Sequence, residues 1–245
     1  MRILLTNDDG IDQPGLLALE EELSAHELWT IAPDRHCSGI GQGLGLYSFL
    51  RIERRGERKW AVGGSPTDCV KLALSELMAA VPPDLVVSGI NPGPNLANNI
   101  YYSGTVAAAT EASFWGIPAF AASQDSCEHP EFGVSARIVR ELVESGIHRS
   151  LPDGTMLNVN IPCCRGDDTP DGYSWTRTGR FSGDIPFDPD ELGSGYSYRG
   201  IMPQPVHNLY GTDVEALSLG KVSLTLLQTD RSCRPPAGLA EFPPG

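Results

Sequence analysis

Met1-Arg-Ile-Leu-Leu-Thr-Asn-Asp-Asp-Gly10, at the head of the chain, carries its strongest architectural signal. Arg2 to Thr6 is a short apolar run that reads as a buried strand of a parallel sheet. It breaks at once into Asn7-Asp8-Asp9-Gly10, a turn signal, and a helix-like stretch follows from about Pro14 to Ser24. In open α/β sheets, ligands bind outside the carboxyl ends of the strands. Asp8 and Asp9 would therefore stand in a binding crevice. No Lys or Arg lies beside them in sequence, so two neighbouring carboxylates would repel unless a cation joined them. The same four residues also fit a plain turn, and the rest of the chain has to decide between these readings.

A chain of 245 residues with 40% apolar content can build one large α/β domain, or a core with an extension. No stretch approaches the length of a membrane span. A strand that begins essentially at Met1 leaves no room for a signal peptide, so a cytoplasmic protein is expected. The formal net charge of −13 argues against a nucleic-acid polymer as partner, because a phosphate backbone needs a basic surface. One small phosphate ester remains compatible if a metal supplies positive charge. The cysteines at 37, 69, 127, 163, 164 and 233 form no Cys-x-x-Cys pair and no zinc spacing. Reduced, structural thiols are expected. The five histidines form no His-Glu-x-x-His array, and neither residue type points to chemistry.

Leu28 to Ala32 predicts a second strand, and Pro33-Asp34-Arg35-His36-Cys37-Ser38-Gly39 brings a hydroxyl and a cation to its end. Gly39-Ile-Gly-Gln-Gly-Leu-Gly45 places glycine at alternate positions, yet it fits neither Gly-x-Gly-x-x-Gly nor a Gly-Lys-Ser/Thr loop. A flexible flap or a tightly packed strand start is expected there. Tyr47 to Glu53 and Lys59 to Val62 predict a hairpin. Ser65-Pro-Thr-Asp68 is a capping box with proline at the first helical position, and Val70, Ala73, Leu74, Leu77 and Met78 continue at helical spacing. Asp84 to Ser88 predicts a strand that opens into Gly89-Ile-Asn-Pro-Gly-Pro-Asn95, a rigid loop presenting neutral oxygens.

Tyr101-Tyr-Ser-Gly-Thr105 leads into an alanine-rich helix, Val106 to Trp115. Its Ser-Gly-Thr entry leaves N–H groups and hydroxyls at a helix N-terminus, a ready anion site, although N-capping would account for one of the two hydroxyls. A strand at Ala119 to Ser123, a helix at Val134 to Ser145 and a strand at Leu157 to Ile161 complete the alternation. The fold class is therefore α/β, a Rossmann-like, doubly wound, mostly parallel sheet. Residues 1–162 are expected to form its α/β core. Residues 163–212 lack helical periodicity but carry Tyr173, Trp175, Phe181, Phe187, Tyr196 and Tyr198. They read as an extended β-hairpin arm that needs something to pack against. Residues 213–233 return a strand to the core, and 234–245 form a proline-rich, frayed tail.

Strand-end loops thus gather Asp8, Asp9, Ser38, Asn91, Asn95, Ser103 and Thr105. Carboxylates with neutral oxygens suit one hard divalent cation such as Mg²⁺ or Mn²⁺. Several segments resemble the SurE (survival protein E) family of 5′-nucleotidases: Asn7-Asp-Asp-Gly10, Ala32-Pro-Asp-Arg35 with Ser38-Gly39, Pro66-Thr-Asp-Cys69, Val87-Ser-Gly-Ile-Asn91 with Gly93-Pro-Asn95, Tyr102-Ser-Gly-Thr-Val-Ala107 and, weakly, Gly211-Thr-Asp213. The resemblance implies a cytoplasmic, metal-dependent phosphomonoesterase acting on nucleoside 5′-monophosphates, with 3′-monophosphates as a further substrate class. It implies metal ligands at Asp8, Asp9, Ser38 and Asn91, with the two aspartates catalytic. It also implies phosphate-side contacts at Asn95, Ser103, Gly104 and Thr105, and a homodimer or homotetramer built through the C-terminal arms. A non-catalytic metal or nucleotide sensor on the same fold is the alternative. A dinucleotide-dependent oxidoreductase would need a glycine fingerprint where Asp8-Asp9-Gly10 stands.

Overall fold

The computed structural model describes residues 1–182, 187–190, 194–198 and 209–232. The apolar run of the first residues forms β1 (Arg2–Thr6), and α1 (Pro14–Glu22) returns the chain to β2 (Glu27–Pro33). A hairpin of β3 (Ile52–Gly56) and β4 (Lys59–Val62) follows, then α2 (Pro66–Leu72), β5 (Leu85–Pro92), α3 (Gly104–Phe114), β6 (Ala119–Gln124), α4 (Gly133–Glu144) and β7 (Thr155–Ile161). Beyond these come β8 (Tyr173–Thr176), β9 (Phe187–Pro189), β10 (Tyr196–Tyr198), α5 (Asp213–Ser218) and β11 (Val222–Gln228).

The main sheet runs β3-β4-β2-β1-β5-β6-β7-β11-β8. From β4 to β7 the strands are parallel, while β3 pairs antiparallel with β4 and β11 antiparallel with β7. The chain winds outward from β1 to β2 and β4 on one side, then to β5, β6 and β7 on the other. The switch in winding direction therefore lies between β1 and β5, where such sheets place their ligands. Thr6 pairs with Ser88 across that boundary, so Asp8 and Asp9 leave β1 beside the carboxyl end of β5.

Both faces of the sheet are covered, which is why its strands read as unbroken apolar runs. Ile3, Leu5, Val87, Phe120 and Val159 pack with Leu16 and Leu19 of α1 and Val139 and Leu142 of α4. Leu4, Val86, Ala121 and Met156 point the other way, against Val70 of α2 and Ala108, Ala109 and Ala112 of α3. The alanines keep α3 thin enough to lie close against both α2 and the sheet. At the start of α2, Ser65 accepts from the Asp68 N–H at 3.0 Å and donates its own N–H to Asp68 at 2.9 Å, the reciprocal cap its sequence predicts. The helix then widens into a π-type turn, Ala73–Leu77.

Three expectations change. The strand predicted from Tyr47 begins only at Ile52, because Tyr47 adopts φ 65° and stands fully exposed; such a residue interrupts an extended strand. Within the predicted arm, Tyr173–Thr176 adds to the main sheet, parallel to β11, while β9 and β10 form a separate two-stranded ribbon. The alternation Tyr173/Trp175 could not announce that pairing because its partner strand lies far along the chain. The frayed tail predicted at 234–245 lies outside the described residues.

The third change concerns the thiols. Cys37, Cys69 and Cys164 are free and buried, but Cys127 and Cys163 form a disulfide across 36 residues of sequence. Parallel pairing of β6 with β7 brings together the loops that follow them, an adjacency without a spacing signature. A cross-link closing a loop of that length is worth about 3–4 kcal/mol by chain entropy. Peptide mapping without reductant is expected to recover a Cys127–Cys163 linked peptide. Dithiothreitol should lower the urea midpoint, and a midpoint unmoved by reductant would count against a stabilising bond.

Candidate active site

The loop after β1 is held by its own side chain. Asn7 donates from Nδ2 to the Gly10 carbonyl at 2.8 Å and accepts the Gly10 N–H at 3.2 Å. This Asx-type closure orients the next two residues, and both are buried: Asp8 is 3% exposed and Asp9 7%. Asp8 is fixed from two directions. Its backbone carbonyl accepts the Cys37 N–H at 2.7 Å, tying the loop after β2 to it. Its carboxylate accepts the Thr105 hydroxyl at 2.5 Å, and the Gly104 N–H in the first turn of α3 lies near enough to favour its charge. A Cβ at position 104 would stand 2.6 Å from Asp8 Cβ and 2.9 Å from its Oδ2. Glycine is therefore what lets α3 approach the carboxylate.

The pair is electrostatically costly. Burial raises the Asp8 pKa, opposed by the Thr105 hydroxyl, backbone N–H groups and His36. Asp9 is pushed up to about 6, first by burial and then by the Asp8 charge, with His36 opposing. His36 Nδ1 lies 3.3 Å from Asp9 Oδ1 on a ring that is 63% exposed. His36 belongs to no histidine array, so the sequence alone does not single it out. A lone histidine in a strand-end loop, one strand over from paired aspartates, was the available signal.

The remaining predicted residues divide into two groups. Asn91 sits at the end of β5, beside β1, and its Nδ2 donates to the Gly93 carbonyl at 2.6 Å. Ser38 is exposed and follows Cys37, whose N–H reaches Asp8. Ser103 caps α3, its hydroxyl oxygen accepting from the Val106 N–H at 3.1 Å. Asp8, Asp9, Ser38, Asn91, Ser103, Gly104 and Thr105 thus collect around the carboxyl ends of β2, β1 and β5. Asn95 is anchored further along the sheet. Its N–H donates to Asn160, its carbonyl accepts from Asn158 and Asn160, and its Nδ2 donates to Ser123, all within 2.8–3.1 Å. Those bonds spend much of its hydrogen-bonding capacity on positioning the loop after β5. Asn158, Asn160 and Ser123 lie inside strands β6 and β7, whose apolar neighbours give no sign of their anchoring role.

A cavity of about 370 Å³ opens beside Asp9, lined by Gln13, His36, Ile90, Pro92 and Phe132 among others. Among the described residues no three His, Cys, Asp or Glu side chains converge as a metal site. The donor set is instead two carboxylates with neutral hydroxyl and amide oxygens, which suits a hard divalent cation. Two buried carboxylates facing one half-exposed imidazole leave negative charge that such a cation would neutralise, so the residues fit the group the sequence implied.

Fold and site together define a Rossmann-like α/β protein with an acidic, oxygen-lined crevice at its switch point. The family model described as Survival protein SurE matches residues 3–183, and the chain belongs to that family. It is 43% identical over 230 residues to 5′-nucleotidase SurE of Myxococcus xanthus, covering 92% of this chain and 87% of that one. It is 40% identical over 233 residues to 5′-nucleotidase SurE of Geotalea daltonii, covering 94% of each. A solved structure, the SurE protein from Aquifex aeolicus, superposes with a TM-score of 0.83 at 35% identity, covering 95% of both chains.

The raised Asp9 pKa fixes the sign of a pH effect. Its folded value, about 6, lies above the ordinary carboxylate value, so the folded protein binds the extra proton between them. The cost of ionising Asp9 is fully present above its folded pKa and is relieved as pH falls through it. Metal-free protein is expected to gain stability from about pH 7.5 to about pH 5.5 relative to Asp9→Asn, measured by urea unfolding. Saturating Mn²⁺ should shrink that gain. An identical pH response in the variant would remove Asp9 as its source.

Proposed function

We propose that this chain is a divalent-metal-dependent phosphomonoesterase that hydrolyses nucleoside 5′-monophosphates to nucleoside and phosphate. The observation that carries this is the paired Asp8 and Asp9 at the switch point, with the first turn of α3 closed onto Asp8. The names of its relatives, 5′-nucleotidase SurE, agree with it.

Asp8, Asp9, Ser38 and Asn91 would hold one Mg²⁺ or Mn²⁺ ion. When bound, that ion supplies Lewis acidity toward the phosphoryl group. The chain's own residues do the rest. Thr105 and Gly104 hold the Asp8 carboxylate in one orientation, so ligand geometry is set before substrate arrives. The Ser103 oxygen accepts from the Val106 N–H, which leaves its O–H hydrogen to donate to a phosphate oxygen. The Thr105 hydroxyl hydrogen is committed to Asp8, so its part in phosphate binding is indirect. Asn95, pinned by β6 and β7, sets the course of the loop leading to these groups. Asp9, beside the cavity, would take the proton of the attacking water.

The enzyme would assemble as a homodimer or homotetramer through residues of the 163–212 arm, in an isologous contact about a two-fold axis. Trp175, Phe187 and Tyr196 are exposed there, which supports burial against a second copy. No described helix is long and apolar enough to cross a membrane. Cytoplasmic placement belongs to the same reading; the reducing poise of that compartment opposes the Cys127–Cys163 bond.

Asp8→Asn or Asp9→Asn is expected to abolish nearly all hydrolysis of nucleoside monophosphates and of p-nitrophenyl phosphate with added Mn²⁺. Circular dichroism should remain that of a folded protein. Chelator should act reversibly in the same way. Full turnover in excess EDTA would defeat the proposal, and Mn²⁺ binding without any turnover would leave a sensor in its place. Light scattering of the intact protein at micromolar concentration should give a dimer or tetramer; a stable monomer would refute the assembly.

A further inference from the structure

Asp213 belongs to the weakest of the motifs, Gly211-Thr-Asp213, and has no place in the chemistry described so far. It is nevertheless wholly buried. Its Oδ2 accepts the Ala97 N–H at 2.9 Å, and its Oδ1 accepts the N–H groups of Gly179 at 2.7 Å and Val214 at 2.9 Å. These donors come from three separate segments: the loop after β5, the chain leaving β8 into the arm, and the start of α5. The helix does not need Asp213 as its cap, because the Thr212 hydroxyl already accepts from Glu215. A buried carboxylate with three N–H partners is a costly arrangement, and removing it would leave donors unpaired in the interior.

Other contacts point to the same joint. Asn98, next to Ala97, accepts the Phe181 N–H at 2.8 Å through its side-chain oxygen. Arg177 and the Gly211–Asp213 segment exchange two backbone bonds of 3.0 Å. Leu96, Ala97, Phe181 and Leu217 form a small apolar cluster apart from the two main cores. A Cβ at position 179 would stand 3.0 Å from Asp213 Oδ1 and 2.9 Å from Val214 Cγ2, so the chain passes with no side chain to spare. Ala97 itself is held at φ 50°, a left-handed conformation that is unfavourable for an alanine. From Ala97 a short 3₁₀ turn, Ala97–Tyr101, runs directly to Ser103, the cap of α3, and to Gly104 and Thr105, which lie against Asp8.

We infer that Asp213 is a positioning residue that fastens the root of the arm and the loop after β5 into one body, and so sets the first turn of α3 in register with Asp8. The inference rests on the proposed hydrolase reading for its kinetic consequences, but not for its structural ones. It makes the arm's attachment a determinant of metal and substrate affinity at a site the arm's root does not touch.

The test uses the full chain in three variants. Asp213→Asn can satisfy either Ala97 or the Gly179 and Val214 pair, not both. Asn98→Ala removes the Phe181 bond, and Asn98→Asp restores an oxygen in the same place. Hydrogen exchange of peptides covering 94–99 and 177–182, Mn²⁺ titration calorimetry and steady-state kinetics on a nucleoside monophosphate are measured on each. In Asp213→Asn both peptides should exchange faster together. The Mn²⁺ Kd and the KM should each rise about tenfold, in line with the loss of one hydrogen bond to a charged group, while kcat changes by less than about threefold. Asn98→Ala should shift KM in the same direction by less, and Asn98→Asp should recover it. Faster exchange with unchanged Kd and KM would overturn the inference. So would a loss confined to kcat and proportional to the unfolded fraction. If the wild type turned over no nucleotide while Asp213→Asn still weakened Mn²⁺ binding, the coupling would stand and the hydrolase reading would fall.

Discussion

The contact between the Asp8 carboxylate and the first turn of α3 is the interaction on which the site depends. It joins the end of β1 to a helix far along the chain, through the Thr105 hydroxyl and the close approach of Gly104. Partial positive charge at a helix N-terminus favours an anion placed there. The contact requires no side chain at Gly104, an alanine-lined α3 that lies close to the sheet, and a closed Asn7 loop. Each of these is a separate local choice, and all of them serve the same few ångströms.

Against that stabilisation stands the repulsion between Asp8 and Asp9. A chain selected for stability alone would not bury two adjacent carboxylates with one exposed histidine as counterweight. The fold tolerates the cost because the surrounding sheet is covered on both faces by α1, α4, α2 and α3. Two separate apolar layers can absorb a few kcal/mol of local penalty. Their rigidity also keeps β1 and β5 in register, so the acidic residues and Asn91 remain neighbours.

The C-terminal part of the chain is organised differently. β8 and β11 finish the sheet antiparallel to its parallel body, and the joint around Asp213 ties the arm's root to the loop after β5. The disulfide makes a comparable link on the same side, between the loops after β6 and β7. Long-range ties of this kind order segments that have little apolar core of their own. They also let a change at the periphery reach the loop that feeds α3.

Local sequence determined the parallel-sheet architecture, the position of most strands and helices, and the identity of Asp8, Asp9, Ser38 and Asn91 as oxygen donors at strand ends. It could do so because apolar runs, caps and turn residues act within a few positions of one another. It could not show that the Thr105 hydroxyl is spent on Asp8, that His36 faces Asp9, or that Asn95 is tied down by Asn158 and Asn160. Nor could it pair Cys127 with Cys163 or place Tyr173–Thr176 in the main sheet. Each of those facts joins residues brought together by strand order and helix packing, and hydrogen bonds across such distances leave no periodicity in the chain. The types of group available were written in the sequence, whereas the partner each one meets was decided by tertiary structure.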